Sequence, residues 1–203
     1  MAAAPLTWEY ESEYRTRGTV CGCDEAGRGP LAGPVYAAAV ILPDGAVVDG
    51  LNDSKKLSAK QREAVRGRIL ETALDSAVAF ATVEEIEALN ILGASLLAMR
   101  RAVEALRVRP ALLLIDGSVA RGFAQPAVAV VGGDARCPSI AAASVLAKVA
   151  RDAYCAEADA LYPQYGFAQH KGYGTKAHRE ALLRYGPCPL HRPSFLKKLW
   201  GKV

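Results

Sequence analysis

A short apolar run that ends in two adjacent carboxylates is the feature that most restricts how this chain can fold. Residues 19–21 (Thr-Val-Cys) lead through Cys23 into Asp24 and Glu25, and a glycine-rich turn at residues 26–30 follows. The run is typical of a core strand. Side chains alternate between the faces of a strand, so the two carboxylates converge only if the strand ends there. Two interpretations remain open: a solvated loop after an edge strand, or a site for a hard divalent metal, which takes oxygen ligands.

Two later apolar runs end in the same way. Residues 111–115 are followed by Asp116 and a glycine, and residues 127–131 by two glycines and Asp134. A wholly apolar run predicts a central strand buried on both faces, and ligands of open α/β sheets lie at strand ends. One Asp-Gly pair is a common turn signal, but four acids at neighbouring strand ends would repel one another without cations. The pattern therefore predicts two divalent ions, which can clamp the attacking and leaving oxygens of a phosphoryl displacement.

The rest of the pattern predicts one α/β domain with a central five-stranded sheet. The predicted strands are residues 19–24, 35–42, 77–81, 111–115 and 127–131. The predicted helices are residues 59–72, 83–90, 91–106, 139–161, 176–185 and 194–200. Only the glycine-rich turn separates the first two strands, so they are predicted to pair antiparallel. We divide the chain into an N-terminal segment (1–18), predicted to be frayed, a catalytic domain (19–160) and a C-terminal extension (161–203), in which residues 162–175 are predicted to be loop.

Composition excludes several classes of protein. The 203 residues are 51% hydrophobic and 23% charged, which is typical of one globular domain. The sequence has no apolar run of membrane-spanning length and no secretory signal. Its five cysteines include no C-x-x-C pair, and we interpret them as reduced thiols, mostly in the core. These observations predict a cytoplasmic protein that does not bind membranes.

Charge is concentrated in the C-terminal extension. Residues 161–203 contain eight lysines and arginines against one acid, Glu180, and all three histidines. A basic segment beside a body with acidic clusters predicts a polyanion partner; the alternative is a solvated helical surface. The histidines lack the spacing of a metal pair, and we expect them at the surface or on phosphates.

Residues 24–35 (Asp-Glu-Ala-Gly-Arg-Gly-Pro-Leu-Ala-Gly-Pro-Val) resemble the N-terminal motif of the ribonuclease HII family. The resemblance continues in unbroken order to residue 185. It includes residues 52–57 (Asn-Asp-Ser-Lys-Lys-Leu), 90–92, 114–117, 133–134, 139–144, 147–148, 151–152 and 170–175 (His-Lys-Gly-Tyr-Gly-Thr). Two positions depart from many relatives, which have lysine where this chain has Gly132 and Arg136.

The resemblance implies a ribonuclease H-like fold with a helical C-terminal extension. It implies an endonuclease, acting with Mg²⁺ or Mn²⁺, that cuts RNA paired to DNA and single ribonucleotides embedded in duplex DNA. The products would carry 5′-phosphate and 3′-hydroxyl ends, and the roles would be ribonucleotide excision repair and RNA primer removal. We expect a monomer whose partners are RNA/DNA hybrids and ribonucleotide-containing duplexes.

The resemblance also implies the site residues. Asp24, Glu25, Asp116 and Asp134 would be the catalytic, metal-binding acids. Gly27, Arg28 and Gly29 would approach the ribonucleotide, whose 2′-hydroxyl distinguishes RNA from DNA, and Tyr173 would pack on the sugar on the deoxy side. Lys55, Lys56, Arg136 and Ser139 complete the predicted substrate contacts.

Each assignment has a simpler alternative. Arg28 could cover a surface, Lys55 and Lys56 could form a solvated turn, and Tyr173 could be a packing residue. For the whole protein, the alternatives are a nucleic-acid-binding module without catalysis and the related ribonuclease HIII. The presence of all four acids favours an enzyme. Because about eighteen residues precede the first strand, we expect no additional N-terminal domain of the HIII type.

Overall fold

The computed structural model describes residues 6–200, which form a mixed five-stranded sheet with helices on both faces. The strands are β1 Val20–Ala26, β2 Val35–Ile41, β3 Asp75–Ala81, β4 Leu112–Asp116 and β5 Ala127–Val130. The helices are α1 Glu9–Arg15, α2 Ala59–Thr72, α3 Val83–Glu104, α4 Pro138–Leu161, α5 Phe167–His170, α6 Lys176–Tyr185 and α7 Pro193–Trp200. Short 3₁₀ turns lie at Ser54–Lys56, Gly133–Ala135 and Pro163–Tyr165. No helix within residues 6–200 is long and apolar enough to cross a membrane.

The strand order β3-β2-β1-β4-β5 brings the predicted acids to one edge of the sheet. β1 pairs antiparallel with β2, as predicted, and parallel with β4, with Cys23 opposite Ile115. β4 pairs parallel with β5, with Asp116 opposite Val130. The carboxyl ends of β1, β4 and β5 therefore meet at the same edge, which is where an open α/β sheet binds its ligands.

Two helices cover the two faces of the sheet. α3 packs its buried Leu96 and Met99 on one face, and α4 packs Ala142 and Ala143 on the other. The small residues at the start of α4 let it approach β1 closely: a Cβ placed at Gly22 would collide with the backbone of α4. All five cysteines are unpaired, and four of them are buried, as expected for reduced thiols that fill core space.

The N-terminal segment is helical where the sequence predicted a frayed start. Glu11 of α1 is fully buried, and its Oε2 accepts hydrogen bonds from the backbone N–H and the hydroxyl of Ser139, at 3.0 and 2.9 Å. These bonds anchor α1 to the first turn of α4. The prediction of fraying was wrong because it used local composition alone, whereas α1 is held by a contact 128 residues away.

The predicted division between helices at residues 83–90 and 91–106 is confirmed. The backbone of Asn90, with φ 58°, is not helical, so α3 consists of two helical segments that meet at a kink there. The Asn90 side chain accepts hydrogen bonds from the N–H groups of Leu92 and Gly93, so it starts the second segment as a cap. The predicted loop at residues 162–175 contains α5, because Phe167 is buried beside Tyr165 in the apolar cluster of the C-terminal residues.

Candidate active site

Four acidic side chains gather at the carboxyl ends of β1, β4 and β5. Asp24 and Glu25 lie near the end of β1, Asp116 is the last residue of β4, and Asp134 lies in the 3₁₀ turn after β5. β1 continues to Ala26, so the strand end expected at Asp24 was wrong. Both β1 carboxylates nevertheless line one cleft.

The cleft has a volume of about 190 Å³ and contains most of the predicted site. Its lining residues are Asp24, Glu25, Ala26, Gly27, Arg28, Gly29, Ser54, Lys55, Asp116, Ser144, Lys148, Arg151 and Tyr173. Two larger cavities lie elsewhere, but neither contains any of the four acids. We identify the smaller cleft as the candidate active site because it contains three of the strand-end acids.

The acids disturb one another electrostatically. Burial raises the pKa of Asp24 well above its usual value, and the charges of Glu25 and Asp116 raise it further. Burial also raises the pKa of Glu25, although Arg28 opposes the rise, and burial together with Asp134 raises the pKa of Asp116. The cleft is therefore an acidic cluster whose charge a bound cation would neutralise.

Lys55 connects the fourth acid to the cleft. Its Nζ donates a hydrogen bond of 3.0 Å to Oδ2 of Asp134. Partial burial lowers the pKa of Lys55, but the hydrogen bond and the charge of Asp134 outweigh burial, so the pKa is raised overall. Lys56, on the same 3₁₀ turn, is exposed.

The Gly-Arg-Gly loop (residues 27–29) forms one wall of the cleft. Gly27 has φ 103°, and a Cβ there would overlap the side chain of Arg151, so a larger residue does not fit. The Arg28 guanidinium is half-exposed and lies 3.4 Å from Oε1 of Glu25. A Cβ at Gly29 would lie 3.4 Å from the ring of Tyr173, which is 48% exposed. The structure thus brings the loop, the tyrosine and the acids together.

Besides Lys56, two predicted substrate contacts lie outside the cleft lining. Ser139 is fully buried and donates its hydroxyl to Glu11, so its side chain faces the core. Arg136 is exposed, and its guanidinium stacks on the ring of Tyr10 at 4.2 Å from the ring centroid. Both follow Asp134 in sequence, but the turn into α4 carries them away from the cleft.

Besides Ala26, four residues that line the cleft lie within the quoted motifs but were given no role from the sequence. Ser144, Lys148 and Arg151 occupy one face of α4 at helical spacing, and Ser54 accompanies them, with its hydroxyl 2.7 Å from that of Ser144. The i, i+4, i+7 spacing was visible in the sequence. Only the packing of α4 on β1 shows that this face points to the acids.

The three histidines were predicted at the surface or on phosphates, which was wrong for the two that are buried. They form a cluster in which the rings of His170, which is half-buried, and His178 stack at 4.4 Å, and His178 contacts His191. His178 and His191 are buried. Burial lowers the pKa of His178 to about 4.

The donor set of the cleft fits a hard divalent cation. Among residues 6–200, no three Asp, Glu, His or Cys side chains are arranged as a complete metal cage. Mg²⁺ does not need one, because it retains waters and binds through one or two carboxylates plus substrate phosphates. The oxygen-only acids of the cleft, with the raised pKa values of three of them, match that mode of binding.

Solved structures place the chain in a fold class. Ribonuclease H2 from Pyrococcus horikoshii OT3 superimposes with a TM-score of 0.74 at 24% identity, covering 91% of this chain and 98% of that one. Bst-RNase HIII in complex with Mn²⁺ gives a TM-score of 0.62 at 18% identity, covering 83% and 63%. The chain has a ribonuclease H-like fold, which confirms the predicted fold class.

Sequence comparison then identifies the family. The Ribonuclease HII family model matches residues 21–203. Ribonuclease HII from Laribacter hongkongensis is 60% identical over 178 residues, covering 87% of this chain and 90% of the relative. That from Albidiferax ferrireducens is 57% identical over 192 residues, covering 95% and 90%. The chain belongs to the ribonuclease HII family, the type 2 ribonucleases H. It is therefore a hydrolase, and family membership implies endonuclease activity on RNA/DNA hybrids.

Proposed function

We propose that this protein is a metal-dependent endonuclease that cuts the RNA strand of RNA/DNA hybrids and single ribonucleotides embedded in duplex DNA. It leaves 5′-phosphate and 3′-hydroxyl ends and acts, as a cytoplasmic monomer, in ribonucleotide excision repair and RNA primer removal. The observation that carries the proposal is one cleft that combines three of the strand-end acids with the Gly-Arg-Gly loop and Tyr173.

The four acids would hold Mg²⁺ or Mn²⁺. Bound divalent ions supply charge stabilisation to the attacking and leaving oxygens of the displacement. Asp24, Glu25 and Asp116 offer carboxylate oxygens on the cleft wall, and Asp134 offers its own beside Lys55. The Lys55 ammonium already donates to Asp134, so it partly neutralises the fourth acid.

Recognition of the ribonucleotide is assigned to the Gly-Arg-Gly loop and Tyr173, which also line the cleft. The backbone of residues 27–29 can approach a strand closely because two of its three residues lack a side chain. The 2′-hydroxyl would be read there by backbone groups, whereas the half-exposed ring of Tyr173 would receive the neighbouring deoxyribose. Arg28, Lys55, Lys56 and Arg136 are positioned or exposed to contact phosphates, which fix register without reading sequence. Ser139 has no part in this proposal, because its hydroxyl is bonded to Glu11.

The basic residues of the C-terminal extension would hold the duplex beside the catalytic domain. α6 exposes Lys176, Arg179 and Arg184. Cations on a helix that faces solvent are suited to the phosphate backbone, which dominates affinity for nucleic acids.

A cleavage assay tests the proposal. Duplex DNA containing one ribonucleotide is incubated with the protein with and without Mg²⁺ or Mn²⁺, and the products are mapped on a denaturing gel. We expect a single metal-dependent cut whose upstream fragment can be extended by a polymerase, because its end is a 3′-hydroxyl. Cutting of an all-DNA duplex at the same rate would contradict the proposal.

A further inference from the structure

A fully buried arginine lies beneath the Gly-Arg-Gly loop. Arg192 donates hydrogen bonds to carbonyl oxygens of residues 27–34. Its partners are Gly27 at 2.7 Å, Gly33 at 2.8 Å, Pro30 at 2.9 Å, Arg28 at 3.0 Å and Pro34 at 3.3 Å. A guanidinium has five N–H groups in a rigid fork, and these five bonds use all of them. The side chain therefore fixes the backbone path of residues 27–34, which include the Gly-Arg-Gly loop.

This arrangement is costly, which indicates that it has a purpose beyond filling space. Burial, together with the charge of Arg151, lowers the pKa of Arg192 to about 9. A buried charge is tolerated only when hydrogen bonds replace the lost water. An apolar side chain would fill the same volume without this penalty, but it could not hold five carbonyls in one orientation.

The preceding residue, His191, is connected through His178 to Tyr173, which forms the other wall of the cleft. Nδ1 of His178 lies 2.9 Å from the carbonyl oxygen of Tyr173, and its Nε2 lies 3.0 Å from Nε2 of His191. A carbonyl can only accept, so His178 carries its proton on Nδ1 and accepts at Nε2. His191 must then donate from its own Nε2, which leaves its Nδ1 to accept the backbone N–H of Cys188 at 2.9 Å.

One backbone hydrogen bond joins the two walls directly, and two more join residues 188–192 to the first wall. The N–H of Leu31 donates to the carbonyl of Gly172 at 2.8 Å, and the N–H of Arg192 donates to the carbonyl of Leu31 at 2.8 Å. The N–H of Gly33 donates to Leu190 at 2.7 Å. Residues 188–192 thus bond directly to the 27–34 loop, and they reach the tyrosine loop (residues 170–175) through His178.

We propose that the adjacent residues His191 and Arg192 are positioning residues that hold the two substrate-reading walls of the cleft in register. Arg192 acts on the Gly-Arg-Gly loop through its carbonyls, and His191 acts on Tyr173 through His178. The inference rests on the proposed function, since it concerns recognition of a ribonucleotide and its deoxy neighbour. Neither residue lines the cleft, so neither is a catalytic residue.

Hydrogen exchange of the free protein tests the positioning without any substrate. Arg192→Lys keeps a cation but loses the fork, and His191→Phe keeps a ring but loses both nitrogens. We expect amide exchange about tenfold faster or more in residues 27–34 for the first variant, and in residues 170–175 for the second. His191→Gln, whose amide can still donate toward His178, should lie between His191→Phe and the wild type. Arg66→Lys, an exposed change on α2, should alter neither loop.

Two results of this experiment would overturn the proposal. One is unchanged exchange in both loops. The other is faster exchange in β1 and β4 by the same factor as in the loops, which would make the dipeptide a general stabiliser. If Arg192→Lys does not fold, the neutral Arg192→Gln replaces it. The His191 variants test the effect on residues 170–175 independently of Arg192.

Kinetics then connect position to recognition. On duplex DNA with one ribonucleotide, His191→Phe should lower kcat/KM about tenfold in the wild-type background. In a Tyr173→Ala background, His191→Phe should lower kcat/KM about twofold or less, because the effects of two residues that act through one group are not additive. Equal losses in both backgrounds would show that His191 does not act through Tyr173. A wild-type protein that does not cut this substrate would refute the proposed function instead, and the exchange results would still stand.

Discussion

At the scale of single residues, the site depends on what surrounds Tyr173. Its ring is half-exposed against Gly29, while its carbonyl is held by His178. The backbone is fixed and the ring faces the cleft, which suits a flat surface for a sugar. A deoxyribose fits such a face, whereas a ribose would bury an unpaired hydroxyl at a cost of about 1–3 kcal/mol.

Replacement of Tyr173 should therefore change selectivity. The cost of burying the unpaired ribose hydroxyl corresponds to a roughly ten- to hundredfold preference for deoxyribose over ribose at this position. We expect Tyr173→Ala to lower kcat/KM strongly at a lone ribonucleotide and to narrow the difference between this substrate and an all-RNA hybrid. The measurement is kcat/KM on both substrates for the variant and the wild type. If both values fall by one factor, Tyr173 is a packing residue and the junction is recognised elsewhere.

At the scale of elements, sequence periodicity predicted most of the fold, because its cues are local. The bounds of α2 and α6 match the prediction, since Ser58 and Thr175 cap them through bonds within three residues. α1 and the histidine cluster could not be predicted in this way. Their contacts join residues far apart in the chain, such as Glu11 with Ser139 and His178 with His191.

Within the site, too, the sequence revealed local motifs but not contacts between distant residues. The four acids and the Gly-Arg-Gly loop were recognisable from motifs at strand ends, and three of those acids with the loop do line one cleft. Their roles stay predictions. Arg192 gave no cue, because a lone arginine near the C-terminus resembles any solvated cation until its carbonyl partners are known.

The α6 helix offers a test of nucleic-acid binding by the C-terminal extension. Changing both Lys176 and Arg179 to Gln should weaken binding to a hybrid duplex. The slope of log affinity against log salt should fall by about 0.9 for each phosphate that the variant no longer neutralises. As a matched control, we suggest changing Arg107 and Arg109, which lie before β4 at the opposite edge of the sheet, to Gln. An equal reduction of the slope in both variants would show that α6 makes no specific contribution.

At the scale of the whole molecule, the histidine cluster links stability to pH. Burial lowers the pKa of His178 to about 4 in the folded protein, against about 6.5 when unfolded. Between these values the unfolded chain binds more protons, so this residue's contribution to stability is lost as the pH falls from about 6.5 to about 4. The raised pKa of Asp24 acts in the opposite direction, because its contribution is lost as the pH rises.

A comparison of variants separates the two effects. We expect the free energy of unfolding of the wild type, minus that of His178→Gln, to decrease as the pH falls through this window. Urea unfolding at several pH values without added metal would measure it. A difference that is constant with pH would mean that His178 titrates normally in the folded state.

The most direct test of the central claim compares two acids that differ in position alone. Asp24→Asn removes a charge from the cleft and keeps the shape, whereas Asp49→Asn makes the same change at an exposed residue. Both variants are assayed in saturating Mg²⁺ on duplex DNA with one ribonucleotide, for binding and for single-turnover cleavage. The account predicts that Asp24→Asn still binds the duplex but loses nearly all cleavage, while Asp49→Asn retains both. Wild-type cleavage by Asp24→Asn would contradict it.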